Sequence, residues 1–354
     1  MTQIANVSVA TELPLGPVML DVAGLILDAD DRRRLRQPAV GGVILFARNF
    51  RDCVQLAALT AEIHSLRTPA LPIAVDHEGG RVQRFRHGFT RVPPMAVLGQ
   101  LWDTDPEAAG RLALQAGLVL AAELRRCGVD FTFAPVLDLD HARSAVIGDR
   151  AFHSRADAVS ELATALVRGL ALGGMGAVGK HFPGHGFAAA DSHVDMPVDP
   201  RNLAQLREAD LVPFARLVAA GLEGIMPAHV VYPAVTPDPA GYSRFWLQQV
   251  LRTEMGFEGV IFSDDLTMVG AHGAGDIVNR ANVALDAGCD VVLVCNDPVA
   301  ADRLLDGLDR PATPAARAAI GRLAGRSSTG HGPPFWETAV YHEAVDSLRA
   351  VMAV

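Results

Sequence analysis

The sequence predicts a single-domain α/β protein, a (β/α)8 TIM-type barrel. Three observations carry that prediction. Eight short apolar runs recur along the chain, and amphipathic or alanine-rich segments fit between most of them. Several runs are apolar on both faces, as strands of a parallel sheet covered on both sides should be. Polar residues (Asp76, Asp138, Lys180 with His181, His229, Asp264, Asn296) gather where the runs end. In a barrel all parallel strands end on one face, so these groups would converge on one mouth.

The runs, in order, are VMLDVAGLIL (18–27), GGVILF (41–46), LPIAVD (71–76), DFTFAP (130–135), GMGAVGKHF (174–182), EGIMPAHV (223–230), GVIFSDD (259–265) and DVVLVC (290–295). Between them, Asp52 to Arg67 sets Leu56, Leu59, Ile63 and Leu66 at the 3.6-residue helical period. Asp103 to Cys127 opens with acidic residues and Pro106 and stops at Gly128. Further helices are predicted over Ala156 to Leu172, Asp210 to Ala220, Ser243 to Met255 and Asn279 to Ala287. They are stopped by Gly173, Gly221, Gly256 and Gly288, glycine being the residue that accepts a left-handed end. The strand and helix alternation runs over roughly 280 residues, the usual span of such a barrel. An open doubly wound sheet would use fewer strands, and the chain shows no G-x-G-x-x-G turn after its first strand. Residues 1–15 read as a loose N-terminal extension, and 16–354 as the barrel with C-terminal helical segments that cap it.

Composition narrows the function classes. Of 354 residues, 50% are hydrophobic and 20% charged, enough apolar material for a large core, and the net charge is −9. Basic residues are scattered apart from Arg32 to Arg36, read as the solvated side of a short helix. That excludes the basic face a nucleic-acid partner requires. No apolar run approaches the ~18 residues of a membrane span, and the N-terminus lacks a secretory leader pattern. Cys53, Cys127, Cys289 and Cys295 form no C-x-x-C pair and read as ordinary buried thiols. A soluble cytoplasmic protein is the expectation.

The densest chemistry lies in KHFPGHGFAAADSHVDMP (180–197), delivered by the fifth predicted strand. Asp191 and His193 sit two apart. A carboxylate there can fix the tautomer of an imidazole and favour its protonated form, although a D-x-H taken alone is more often an exposed turn. His181, His185, Asp191 and His193 invite a metal reading. Lys180 adds positive charge beside them, and no shared helix face aligns them, so substrate binding ranks above metal. Asp264, in IFSDDLTM, could be a nucleophile, a base or a ligand. It could equally be a helix N-cap. Asp76, Arg81, Arg84 and Arg86, in VDHEGGRVQRFR, and Arg150, in VIGDRAFH, suit a ligand rich in oxygen.

Taken together, the ordered blocks LGPVMLDV, GGVILFARNF, AVDHEGGRVQRF, FAPVLDLD, GDRAFH, GKHFPGHG…DSHVDMP, MPAHV and GVIFSDDLTM resemble the β-N-acetylhexosaminidases of glycoside hydrolase family 3, NagZ type, over about residues 16–295. The resemblance implies a retaining exo-β-N-acetylglucosaminidase acting in the cytoplasm on cell-wall muropeptide fragments during peptidoglycan recycling. It implies no metal and no cofactor. Its partner is a small carbohydrate, an N-acetylglucosamine-anhydro-muropeptide, with no nucleic acid or membrane involved, and the chain is expected to be a monomer. Carried over, Asp264 would be the nucleophile, His193 the acid/base and Asp191 its partner. Asp76, Arg84, Arg150, Lys180 and His181 would bind the sugar. The chain departs from the pattern at His77, where the family often has Gln. His77 then either alters pH dependence or faces away. A family-3 phosphorylase and a sugar-binding barrel without turnover stay open as alternatives.

Overall fold

A computed structural model describes residues 11–189, 196–324 and 335–352. Eight parallel strands close into a barrel in chain order. They are β1 (Val18–Leu20), β2 (Val40–Leu45), β3 (Ile73–Val75), β4 (Phe131–Thr132), β5 (Gly176–Phe182), β6 (Gly224–Pro227), β7 (Val260–Asp265) and β8 (Val291–Val294). Each falls within or overlaps one of the eight apolar runs. The ring closes where Val292, Leu293 and Val294 pair with Val18, Met19 and Leu20.

The outer ring follows the same alternation. It comprises α1 (Ala29–Leu35), α2 (Cys53–Ser65), α3 (Pro106–Arg126), α4 (Ala156–Leu172), α5 (Leu211–Ala219), a π-type helix over Phe245–Glu254, α6 (Ile277–Ala287) and α7 (Pro298–Gly307). Asp caps open several of them. Asp52 accepts from the Gln55 N–H, Asp105 from Ala108 and Asp276 from Asn279. The helix α4 ends at Leu172 with Gly173 just past it, as predicted, but Gly173 keeps a negative φ of −78° and Gly174 takes the left-handed turn at φ +77°. The basic cluster does lie on α1, where Arg33 and Arg34 share Asp302 of α7.

Large side chains fill the barrel. Phe131 and Phe133 reach across it to Phe262, with ring centroids 5.2–5.7 Å apart. This aromatic layer makes the barrel a packed core with a floor beneath the mouth. Below β5, α8 (Pro314–Leu323) brings Leu323 so close to Gly176 that an added Cβ would stand 2.6 Å from its Cδ1. On the flank, α9 (Ala339–Met352) is tied to α3 by the Tyr341 hydroxyl, which donates to Glu123 at 2.8 Å. Within the segment expected to be a loose extension, Thr11–Glu12 pair with Arg67–Thr68, and Leu15 is buried. The four cysteines are free, three of them buried. No helix among the described residues is long and apolar enough to cross a membrane.

Candidate active site

The connections after β3 to β6 are long, and they rise around a cavity of about 560 Å³ at the C-terminal ends of the strands. Asp76, Arg84, Arg150, Lys180, His181 and Asp264 all line it. Asp191 and His193 lie outside the described residues.

The first wall begins where β3 ends. The chain stays extended through His77–Gly79 and pairs back with Val82–Gln83 through a turn at Gly80, whose φ is +53°. Alternation along an extended segment sends Asp76 and Glu78 to the cavity and His77 to the other side. Lys180, from β5, is buried and places Nζ 2.7 Å from Asp76 and 2.7 Å from Glu78. Arg150 donates to both oxygens of Glu78 at 2.8 Å, the bidentate geometry that suits guanidinium to carboxylate. Arg84 stands 3.5 Å from Asp76.

Burial alone would raise both carboxyls. Lys180 with Arg84 at Asp76, and Arg150 with Lys180 at Glu78, reverse this and hold them below the usual carboxylate range. Both remain charged, and the wall is a fixed array of acceptors and donors. Arg81 also reaches the cavity but is paired with Asp149. Arg86 turns back to the carbonyls of Gln83 and Arg81.

The second wall is built by Asp138, which is fully buried. Its carboxylate accepts from His181 Nδ1 at 2.7 Å and from the His185 backbone N–H at 2.6 Å. Burial raises this carboxyl, and the adjacent His181 more than offsets the rise, so it too is held low. A carboxylate only accepts, so Nδ1 carries the proton and Nε2 of His181 is the nitrogen left for the cavity.

Strand β7 resolves the ambiguity of its Ser-Asp-Asp. Ser263 accepts from the Leu293 N–H at 3.0 Å. Asp265 accepts from the Thr267 N–H, the Thr267 hydroxyl and the Cys295 N–H, fastening β7 to β8. Burial pushes the Asp265 carboxyl up to about 6. Asp264 receives the Asp265 N–H at 2.8 Å and is otherwise presented to the cavity. The structural bonds therefore fall to its neighbours.

His77 is the departure with a measurable consequence. Its ring packs between Phe85 and Phe89, each 5.5 Å away, and does not line the cavity. Burial, reinforced by Arg84, lowers its pKa from 6.5 to about 3. The unfolded chain takes up this proton below pH 6.5 and the folded chain does not, so stability falls with pH across that window. His77→Gln is expected to flatten the decline in Tm between about pH 6.5 and pH 4, read by calorimetry.

Sequence reading missed Glu78 and His185 as cavity residues. Glu78 was not singled out within VDHEGGRVQRFR, yet its i, i+2 relation to Asp76 was a usable signal. His185 read as a metal candidate with His181. Their rings are 5.9 Å apart, and among the described residues no group of three or more His, Cys, Asp or Glu could hold a metal ion.

Comparison with known proteins decides the family. The family model for the glycosyl hydrolase family 3 N terminal domain matches residues 7–320. The chain belongs to glycosyl hydrolase family 3. This family-3 chain is 58% identical over 342 residues to a β-hexosaminidase of Thiobacillus denitrificans, covering 96% of this chain and 95% of that one. It is 60% identical over 315 residues to a β-hexosaminidase of Chromobacterium violaceum, covering 89% and 88%. Among solved structures, native NagZ from Neisseria gonorrhoeae matches with a TM-score of 0.91 at 51% identity, covering 97% of this chain and 99% of that one. The same protein in complex with N-trifluoroacetyl-D-glucosamine matches with a TM-score of 0.91 at 50% identity, with the same coverage.

Proposed function

We propose that the protein is a retaining exo-β-N-acetylglucosaminidase that removes terminal β-linked N-acetylglucosamine from cell-wall muropeptide fragments in the cytoplasm. The observation that carries this reading is Asp264. It is a carboxylate facing a cavity walled by charged donors and acceptors, while Ser263 and Asp265 hold the strand. The β-hexosaminidase relatives and the N-acylglucosamine complex of a NagZ support the choice of sugar.

In the proposed mechanism Asp76 and Glu78 accept from sugar hydroxyls, and Lys180, Arg84 and Arg150 keep them ionised and add donors. His181, its tautomer set by Asp138, supplies Nε2. Asp264 attacks the anomeric carbon as His193, paired with Asp191, gives its proton to the departing glycosidic oxygen. The bond to the leaving group breaks as the glycosyl-Asp264 ester forms. Neutral His193 then takes a proton from water, whose oxygen displaces Asp264 with a second inversion. The scheme is the two-step retaining one with histidine in place of one carboxyl. Each proton transfer contributes ~10²–10⁴-fold.

Two measurements test the reading. Aryl β-N-acetylglucosaminide is expected to be hydrolysed with kcat/KM at least ~10-fold above that of aryl β-glucoside; equal rates remove the N-acetyl preference. A 2-deoxy-2-fluoro glycoside with a good leaving group is expected to label Asp264, located by peptide mass. A label on another residue removes Asp264 as nucleophile.

A further inference from the structure

The mechanism above gives no role to His185, and its surroundings are unusual. The residue is 2% exposed, and among the described residues neither ring nitrogen has a hydrogen-bond partner. Among the described residues it is the one side chain with two buried atoms in that condition. Buried polar atoms are nearly always paired, because an unpaired one has lost water and gained nothing. His77 and Trp246 each leave a single nitrogen unpaired away from the cavity, and Arg84 leaves only its Nε unpaired on it. His185 brings two such nitrogens to the same cavity as His181 and Asp264.

The ring is held there by its backbone. The His185 N–H is fixed on Asp138 at 2.6 Å. The preceding carbonyl, of Gly184, accepts from the Tyr232 hydroxyl at 2.7 Å. Gly184 itself has φ +141°, and a Cβ on Gly186 would stand 1.8 Å from the Leu139 carbonyl oxygen, so both neighbours must be glycine. A segment fixed on both sides of a residue presents that side chain in one direction.

We propose that His185 is a further substrate-contact residue, whose imidazole takes a hydroxyl of the sugar bound in this cavity. The inference rests on the sugar-hydrolase reading and adds a contact to it. Burial and the neighbouring His181 favour the neutral ring. A neutral imidazole offers one donor and one acceptor, and a hydroxyl can meet either by rotating its hydrogen. The carboxylates Asp76, Glu78 and Asp264 only accept, and Lys180, Arg84 and Arg150 only donate. His185 can do either, so it is suited to a sugar hydroxyl that the charged wall leaves without a partner.

The test is calorimetric titration of N-acetylglucosamine into wild type and His185→Phe, with Tm measured alongside. Phenylalanine keeps a planar ring and removes both nitrogens. The variant is expected to bind at least ~10-fold more weakly with Tm unchanged or raised, since an unpaired polar group has gone. If wild type binds and His185→Phe binds within twofold of it, the contact is wrong and the sugar reading survives. If wild type does not bind N-acetylglucosamine, the sugar reading fails and the contact with it. An independent measurement uses wild type labelled with ¹⁵N-histidine, the His185 signals being assigned through His185→Gln. Saturation with N-acetylglucosamine is expected to shift the His185 ring nitrogens by several ppm. Unmoved ring signals at saturation overturn the proposal, even where a variant is unstable.

Discussion

Asp264→Asn is expected to lower kcat on aryl β-N-acetylglucosaminide by at least ~10⁴-fold, the scale of losing a nucleophile, while Tm stays within about one degree. The two halves of that result come from the same strand. The structural bonds of the Ser-Asp-Asp end are made by Ser263 to β8 and by Asp265 to Thr267 and Cys295. Among the described residues Asp264 receives only the adjacent Asp265 N–H, which an amide oxygen can equally accept. The amide cannot form the glycosyl ester, because it has no anionic carboxylate oxygen to attack the anomeric carbon. Asp265→Asn is the control with the opposite pattern. It places an amide where three donors converge, so it lowers Tm by several degrees and costs less in kcat than the change at 264. Azide supplied to Asp264→Ala should restore turnover and release the glycosyl azide of inverted configuration, identified by NMR. Residual activity of Asp264→Asn within tenfold of wild type, or a retained azide product, would sink the assignment.

The barrel was legible because its strands are buried on both sides. That leaves unbroken apolar runs such as GVIF and VVLV, and they coincide with β7 and β8. Convergence at one mouth followed from the strand ends, which is why Asp76, Lys180, His181 and Asp264 could be named beforehand. Two classes of feature were not legible. One is partnership: Asp138 stood among the strand-end polar residues, but nothing in FAPVLDLD announces that it binds both His181 and the His185 backbone. The other is which member of a polar pair points inward. Glu78 and His77 are adjacent, and the turn-forming glycines after them hid the extended backbone that sends one to Lys180 and the other against Phe85 and Phe89. The same alternation, once seen, explains why a histidine is accommodated at a position beside the charged wall of the cavity. The helix α4 stops at Gly173 as its sequence predicts, but the left-handed residue that turns the chain is the next one, Gly174.

Lys180→Met is expected to lower stability by about 3–5 kcal/mol at pH 7, because it strands the buried Glu78 and the partly buried Asp76, which its charge now compensates. For a chain of 354 residues that is a Tm loss of roughly 5 °C. Lys180 lies 2.7 Å from Asp76 and 2.7 Å from Glu78. Without it Glu78 still has bidentate Arg150, while Asp76 has only Arg84 at 3.5 Å and faces the negative Glu78. Asp76 is the group whose protonation should change.

The pH dependence separates this from a mere packing loss. In wild type the Asp76 carboxyl is held below its ordinary 3.8. It therefore adds stability above pH ~4 that disappears as pH falls through the folded pKa. With Lys180 gone, burial is no longer offset and the folded pKa moves above the unfolded one. The buried charge then destabilises at pH 7 and is relieved as the group takes up a proton. The Tm difference between variant and wild type should shrink steadily from pH 7 to pH 5. A methionine that simply fits badly would give a constant difference. Adding Asp76→Asn to Lys180→Met removes the stranded charge, and should recover more than half of the loss at pH 7 without restoring sugar binding. A pH-independent difference, or no recovery in the double variant, would show that Lys180 is held by its packing and not by the two carboxylates.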